Sequence, residues 1–144
     1  YVQPVKTIAH QLQKKKMKKN KLVNHTNKFD IDLKYGQVRE IELANILKNE
    51  KIEVKTERDK WMTTGNIAIE FECRGKPSGI AITEAKYWAH ILADDDVIVC
   101  ILLFPTDKLK KIARKYFKNA IYGGDDNLSK MVLIPLKEIF NMKR

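Results

Sequence analysis

Two stretches decide the fold: Ile52-Glu-Val-Lys-Thr-Glu57 and Asn66-Ile-Ala-Ile-Glu-Phe-Glu72. In the first, Ile52, Val54 and Thr56 alternate with Glu53, Lys55 and Glu57. In the second, Ile67, Ile69 and Phe71 alternate with Asn66, Ala68, Glu70 and Glu72. A period of two is the mark of a strand with one buried face. The spacing predicts an antiparallel hairpin closed over the loop Arg58–Gly65. With both apolar rows on the core, the two polar rows share a side. Facing Cβ atoms in such a pair lie about 4.5–5.5 Å apart. Four carboxylates and one lysine are then expected on a small patch.

Carboxylates at that spacing repel one another. A divalent cation makes such a patch favourable, since Mg²⁺ takes hard oxygen ligands and typically uses one or two carboxylates plus substrate phosphate oxygens. Bound Mg²⁺ (or Mn²⁺) polarises a phosphate and activates water. A lysine stabilises the charge that develops. The plain alternative is a solvated amphipathic face on which Lys55 pairs with a neighbouring glutamate.

Working outward, Val38, Ile41, Ala44 and Leu47 predict a helix over about 37–49, begun after the Tyr35-Gly36 break. Gly75-Lys-Pro-Ser-Gly79 is a turn before a short strand at 80–82. Thr83 is a good N-cap for a helix to about Ala93 that buries Tyr87, Trp88, Ile91 and Leu92. The acidic turn 94–96 leads into Val97–Phe104, which has no polar face and is expected to be a central strand, with Cys100 packed inside. A basic amphipathic helix follows Pro105, capped by Thr106 or Asp107. Met131–Ile134 is a last strand and 136–142 a last helix. The order is α-β-β-β-α-β-α-β-α. The fold class is α/β, a single domain with a mixed central sheet flanked by helices.

Length and charge bound the rest. The 144 residues suit one domain. Net charge is +10, and residues 1–28 hold eight lysines and no acid. The remaining 116 residues carry 20 basic and 18 acidic side chains, so the basicity belongs to an arm. We expect 1–28 to be a flexible or weakly helical basic arm, and 29–144 the domain. A polycationic arm attracts phosphate backbones through counterion release, whatever their sequence. No run approaches the ~20 apolar residues of a membrane span. No secretory signal is legible, and two cysteines form no disulfide framework, so a reducing cytoplasm is the expected setting. Ser/His/Asp triads and Gly-rich phosphate loops are missing. His10, His25 and His90 are scattered without metal-ligand spacing and read as structural or solvated.

A helix carrying Glu40, then strands with Glu53-Val54-Lys55 as a literal ExK, then a helix and a further strand, resembles the core of the PD-(D/E)xK nuclease superfamily. Ile52-Glu-Val-Lys-Thr-Glu57, Thr64-Gly-Asn-Ile-Ala-Ile-Glu70 and Lys76-Pro-Ser-Gly79, with Thr83 and Ala85, resemble its small phage-type members. The resemblance spans about residues 29–104, with Gly123-Gly124-Asp125 as a further match. It implies a restriction-endonuclease-like core and a Mg²⁺- or Mn²⁺-dependent deoxyribonuclease. In one register, Glu53 and Lys55 are the ExK pair and the preceding acid is Asp30 or Asp32. In the other, Glu57 or Asp59 fills the acidic position, Glu70-Phe71-Glu72 is the ExK-like element, and Lys55 supplies the amine.

Both registers recruit one patch: Lys55, Glu53 and Glu72 as catalytic groups, with Glu40, Glu57, Glu70 and Asp59 toward metal. DNA is the implied partner. Lys14, Lys15, Lys16, Lys18 and Lys19 of the arm, with Arg58, Lys60, Trp61 and Lys76, are the candidate contacts. The lysines of the helix after Pro105 are a further basic face. A homodimer built on the apolar C-terminal segment is a second expected partner. The competing function class is a non-catalytic nucleic-acid-binding protein using the arm and that basic helix.

Overall fold

A computed structural model describes residues 27–124 and 126–141. Most of the expected arm, Asp125 and Met142 lie outside the described residues. The chain divides into two units at Glu42/Leu43.

The first helix, α1 (Asn27–Asn49), begins ten residues before its expected start and runs through Gly36. A single glycine inside a helix costs about 1 kcal/mol, which 23 residues of helix absorb. Val38, Ile41 and Leu47 are exposed, not turned into a core as their spacing suggested.

Beyond it come β1 (Ile52–Arg58), the short α2 (Lys60–Thr64), β2 (Asn66–Cys73) and β3 (Lys76–Pro77). A 3₁₀ turn covers Gly79–Ala81, where a third strand was expected. The chain continues through β4 (Tyr87–Asp94), β5 (Val97–Pro105), α3 (Thr106–Lys115), β6 (Ile121–Gly123), β7 (Ser129–Pro135) and α4 (Leu136–Phe140). The class is α/β, with two sheets in place of one central sheet: β1-β4-β5 and β3-β2-β7-β6.

The largest correction concerns residues 83–93. The expected helix is a strand, β4, parallel to β1 and antiparallel to β5. Tyr87, Trp88, Ile91 and Leu92 read as a helical stripe because β4 sits centrally and is apolar on both faces, which erases the period of two. Asp95, at φ 51, makes the tight turn into β5, a left-handed conformation that aspartate tolerates better than most residues. With β4 in the centre, β5 becomes an edge strand. Val97, Ile98, Val99, Cys100 and Ile101 are exposed on both of its faces, against the expectation of a covered strand.

The second correction follows. β1 and β2 do not pair. β2 pairs with β7, placing Ile67 opposite Ile134 and Ile69 opposite Val132. All four are fully buried. They join Trp88, Leu92 and Phe104 with Leu109 and Ile112 of α3 in one core. β1 turns the opposite way from its apolar pattern: Val54 is exposed, while Glu53 and Glu57 are partly buried.

Candidate functional site

Register places Glu53, Lys55 and Glu57 of β1 beside Trp88, His90 and Leu92 of β4. All six belong to the inner face of that sheet, since strand residues two apart share a side. Glu57 reaches beyond its own sheet. Its Oε2 accepts the backbone N–H of Ala68 on β2 at 3.0 Å and lies 3.0 Å from His90 Nε2. One carboxylate thus ties β1, β2 and β4 together.

His90 is almost fully buried, and its ring chemistry is readable. The indole N–H of Trp88 donates to His90 Nδ1 at 3.4 Å. An indole nitrogen has no acceptor capacity, so Nδ1 is the bare nitrogen. In neutral His90 the proton therefore sits on Nε2, which donates to Glu57 Oε2. With two N–H groups on Oε2, the Oε1 atom is the one left for other partners.

Glu70 is held from the other side, where the Ser78 hydroxyl donates to Oε1. Ser78 reaches it because the chain turns sharply at Gly79, whose φ is +50. A Cβ there would press into the Glu70 carbonyl oxygen. Only glycine allows this approach.

Lys55, Glu57, Glu70 and His90 line one open cavity of about 390 Å³. Lys55 also lines an adjoining polar cavity of about 440 Å³ with Glu53, Ser78 and Thr83. Its Nζ lies 3.3 Å from Glu53 Oε1, and the Thr83 hydroxyl donates to Glu53 Oε2 at 3.4 Å. Lys55 therefore stands between the two acids of its own strand, with Glu70 facing the same space.

Within the second unit, the remaining expected site residues fall elsewhere. A β-bulge between Glu70 and Glu72 breaks the alternation that put them on one face. Glu72 lines a separate groove with Phe71 and pairs with Lys130 at 2.8 Å. That hydrogen bond raises the Lys130 pKa above its ordinary value, so at neutral pH Glu72 is answered by a fixed cation. Asp59 accepts the Asp95 N–H at 2.9 Å and serves the β4–β5 turn. Glu40 is exposed on α1, in the other unit. Asp30 and Asp32, the alternative acids, are on the same helix.

Trp61 folds back on its own sheet, its indole N–H donating to the Ala93 carbonyl at 2.8 Å. This removes it from the expected DNA contacts. Arg58, Lys60 and Lys76 are exposed. Lys14, Lys15, Lys16, Lys18 and Lys19 lie outside the described residues, as does Asp125.

His90, Trp88 and Ser78 were not foreseen as site residues. The signal for Trp88 and His90 was available only to a strand reading of 87–94, which places them on one face, beside Glu53 and Lys55.

No protein-family model matches the chain, and neither does any curated protein or solved structure.

Among the described residues, no three or more His, Cys, Asp or Glu side chains are gathered as a ready metal cage. What is gathered is two carboxylates, Glu57 and Glu70, on one cavity with two cations, Lys55 and Arg58. Two hard oxygen donors with room for waters and a phosphate suit Mg²⁺, which rarely takes an all-protein cage. The donor set fits a hard divalent ion and is poor for a soft one.

Proposed function

We propose that the chain is a divalent-metal-dependent phosphodiesterase acting on DNA, with a restriction-endonuclease-like site at the junction of β1, β2 and β4. The observation that carries this reading is Lys55, Glu57 and Glu70 lining a single cavity. Glu57 Oε1 and the free oxygen of Glu70 would hold Mg²⁺ or Mn²⁺. When bound, the ion supplies Lewis-acid polarisation of the phosphate and a lowered pKa for an attacking water.

The protein's own groups do the rest. Lys55 neutralises the anionic phosphate as charge builds on its oxygens. Glu53 aims Lys55 through their ion pair and is itself steadied by Thr83. Ser78 and His90 fix the two metal-binding carboxylates before substrate arrives. The exposed cations Arg58, Lys60 and Lys76 serve backbone phosphates, and the lysine-rich arm adds affinity without sequence preference. Two free cysteines suit work in a reducing cytoplasm, and the phage-like pattern of residues suggests a phage-encoded enzyme.

The experiment is incubation of the full chain with supercoiled, linear and branched DNA, with Mg²⁺, Mn²⁺ or chelator. Cleavage that requires the metal supports the reading. Glu70→Ala and Lys55→Ala should each remove cleavage, by at least about a hundredfold for a lost electrostatic stabiliser, while DNA binding remains. Absence of cleavage under either metal counts against it.

A second reading is favoured by one observation: among the described residues no three His, Cys, Asp or Glu side chains are gathered. Without a third carboxylate, the chain would be a non-catalytic DNA-binding protein using the arm and the exposed Lys108, Lys111, Arg114 and Lys115 of α3. Binding that is indifferent to chelator, with no cleavage, selects it.

A further inference from the structure

We propose that His90 is a positioning residue, holding Glu57 in the one orientation that offers Oε1 to the metal. The inference rests on the nuclease reading and deepens it.

A glutamate with three rotatable side-chain bonds does not stay in one place on the rim of an open cavity unless something holds it. Among the described residues, Glu57 is held at one oxygen only. Ala68 N–H and His90 Nε2 meet at Oε2, each at 3.0 Å. The first donor is backbone and comes with the fold. The second is a side chain, nearly fully buried, whose other nitrogen accepts the Trp88 indole N–H. Neighbouring inner-face positions of β4, Trp88 and Leu92, are apolar core residues.

A buried imidazole needs partners at both nitrogens, because an unpaired buried polar atom costs roughly 1–3 kcal/mol. Trp88 serves Nδ1 and so dictates which nitrogen bears the hydrogen. The chain Trp88–His90–Glu57 is thus directional, with each group setting the orientation of the next. It mirrors the arrangement in which outer partners orient a metal ligand and tune its donor strength. Here the oriented ligand is a carboxylate, and imidazole is the outer partner. His90 lines the cavity and touches Glu57, but does not itself hold the metal in this scheme. It decides where Glu57 points.

The test uses the full chain and two substitutions that differ in reach. His90→Gln places an amide nitrogen near the Nε2 position and can still donate to Glu57. His90→Asn is also polar but is too short. Mn²⁺ binding is followed by the electron paramagnetic resonance signal of free Mn²⁺, with thermal melts on each protein. We expect the Asn variant to bind Mn²⁺ about 10–100-fold more weakly, and the Gln variant to stay close to wild type. Cleavage should follow the same order.

Equal affinity in Asn and wild-type proteins overturns the inference and leaves the nuclease reading standing. Equal loss in both variants also overturns it, since only packing would then matter. If wild type itself binds no Mn²⁺, the metal reading falls and takes the inference with it. The wild-type chain gives an independent check through ¹⁵N NMR of the ring. A hydrogen on Nε2 supports the proposal, and one on Nδ1 overturns it whether or not either variant folds.

Discussion

At the scale of single residues, the candidate site depends on contacts that no pattern of hydrophobicity announces. Gly79 is the clearest case. Its positive φ and the absence of a Cβ let the Ser78 hydroxyl close on Glu70. Gly79→Ala should therefore destabilise the fold by about 1–3 kcal/mol, the cost of a strained backbone, measured by chemical denaturation. It should also slow any cleavage, by displacing Glu70. An unchanged melt would mean that the turn is not as tight as described. The turn itself was legible, since Gly75-Lys-Pro-Ser-Gly79 is turn chemistry. That it exists to carry a serine to a glutamate eight positions back was not. Lys55, Glu57 and Glu70 were foreseen as neighbours on the premise of a hairpin that the chain does not form. They come together because Glu57 crosses from one sheet to the other.

At the scale of elements, legibility followed how one-sided each element is. β2 alternates as far as Ile69 because the core covers one of its faces, so Ile67 and Ile69 are legible as its buried row. Ile69→Ala should cost about 2–5 kcal/mol, as a fully buried side chain leaving a void. Val54, given the same inward role by its alternation, is exposed. Val54→Lys should change stability by no more than about 0.5 kcal/mol, and a large loss there would show that the outer face of β1 is covered after all. β4 was misread because it is apolar on both sides. α3 was legible through Leu109, Ile112 and Ala113, all buried, but its start was not. Thr106, expected as a possible cap, caps nothing. Pro105 holds the N-cap position, and the Thr106 hydroxyl is buried without a partner among the described residues. Thr106→Val keeps the shape and removes the unpaired hydroxyl, so it should raise stability by about 1 kcal/mol. A thermal melt checks it, and a lower midpoint would mean that the hydroxyl has a partner.

At the scale of the whole molecule, charge is the property least tied to fold. The excess of lysine at residues 1–28 should make DNA affinity fall linearly with salt on logarithmic axes, with a slope of about 0.9 per duplex phosphate contacted. Removing the first 26 residues should flatten that slope while leaving cleavage by the remaining chain. A slope that does not change places the contacts elsewhere. Class and charge distribution were legible from composition and rough periodicity. The division into two sheets was not, because it depends on which strand finds which partner, and partners distant along the chain leave no local mark.

That remoteness has a kinetic side. β4 and β5 are joined by a tight turn and can zip together from neighbours in sequence. β1 must wait for β4 across the whole of β2 and β3, and β2 must wait for β7 almost at the chain's end. Long loops have to close before either pairing is rewarded, which slows folding relative to proteins built from local contacts. The catalytic-site candidates sit at the meeting point of those late pairings. The β4–β5 hairpin should be structured in the folding transition state, and the junction that gathers Lys55, Glu57 and Glu70 should be among the last parts of the protein to exist.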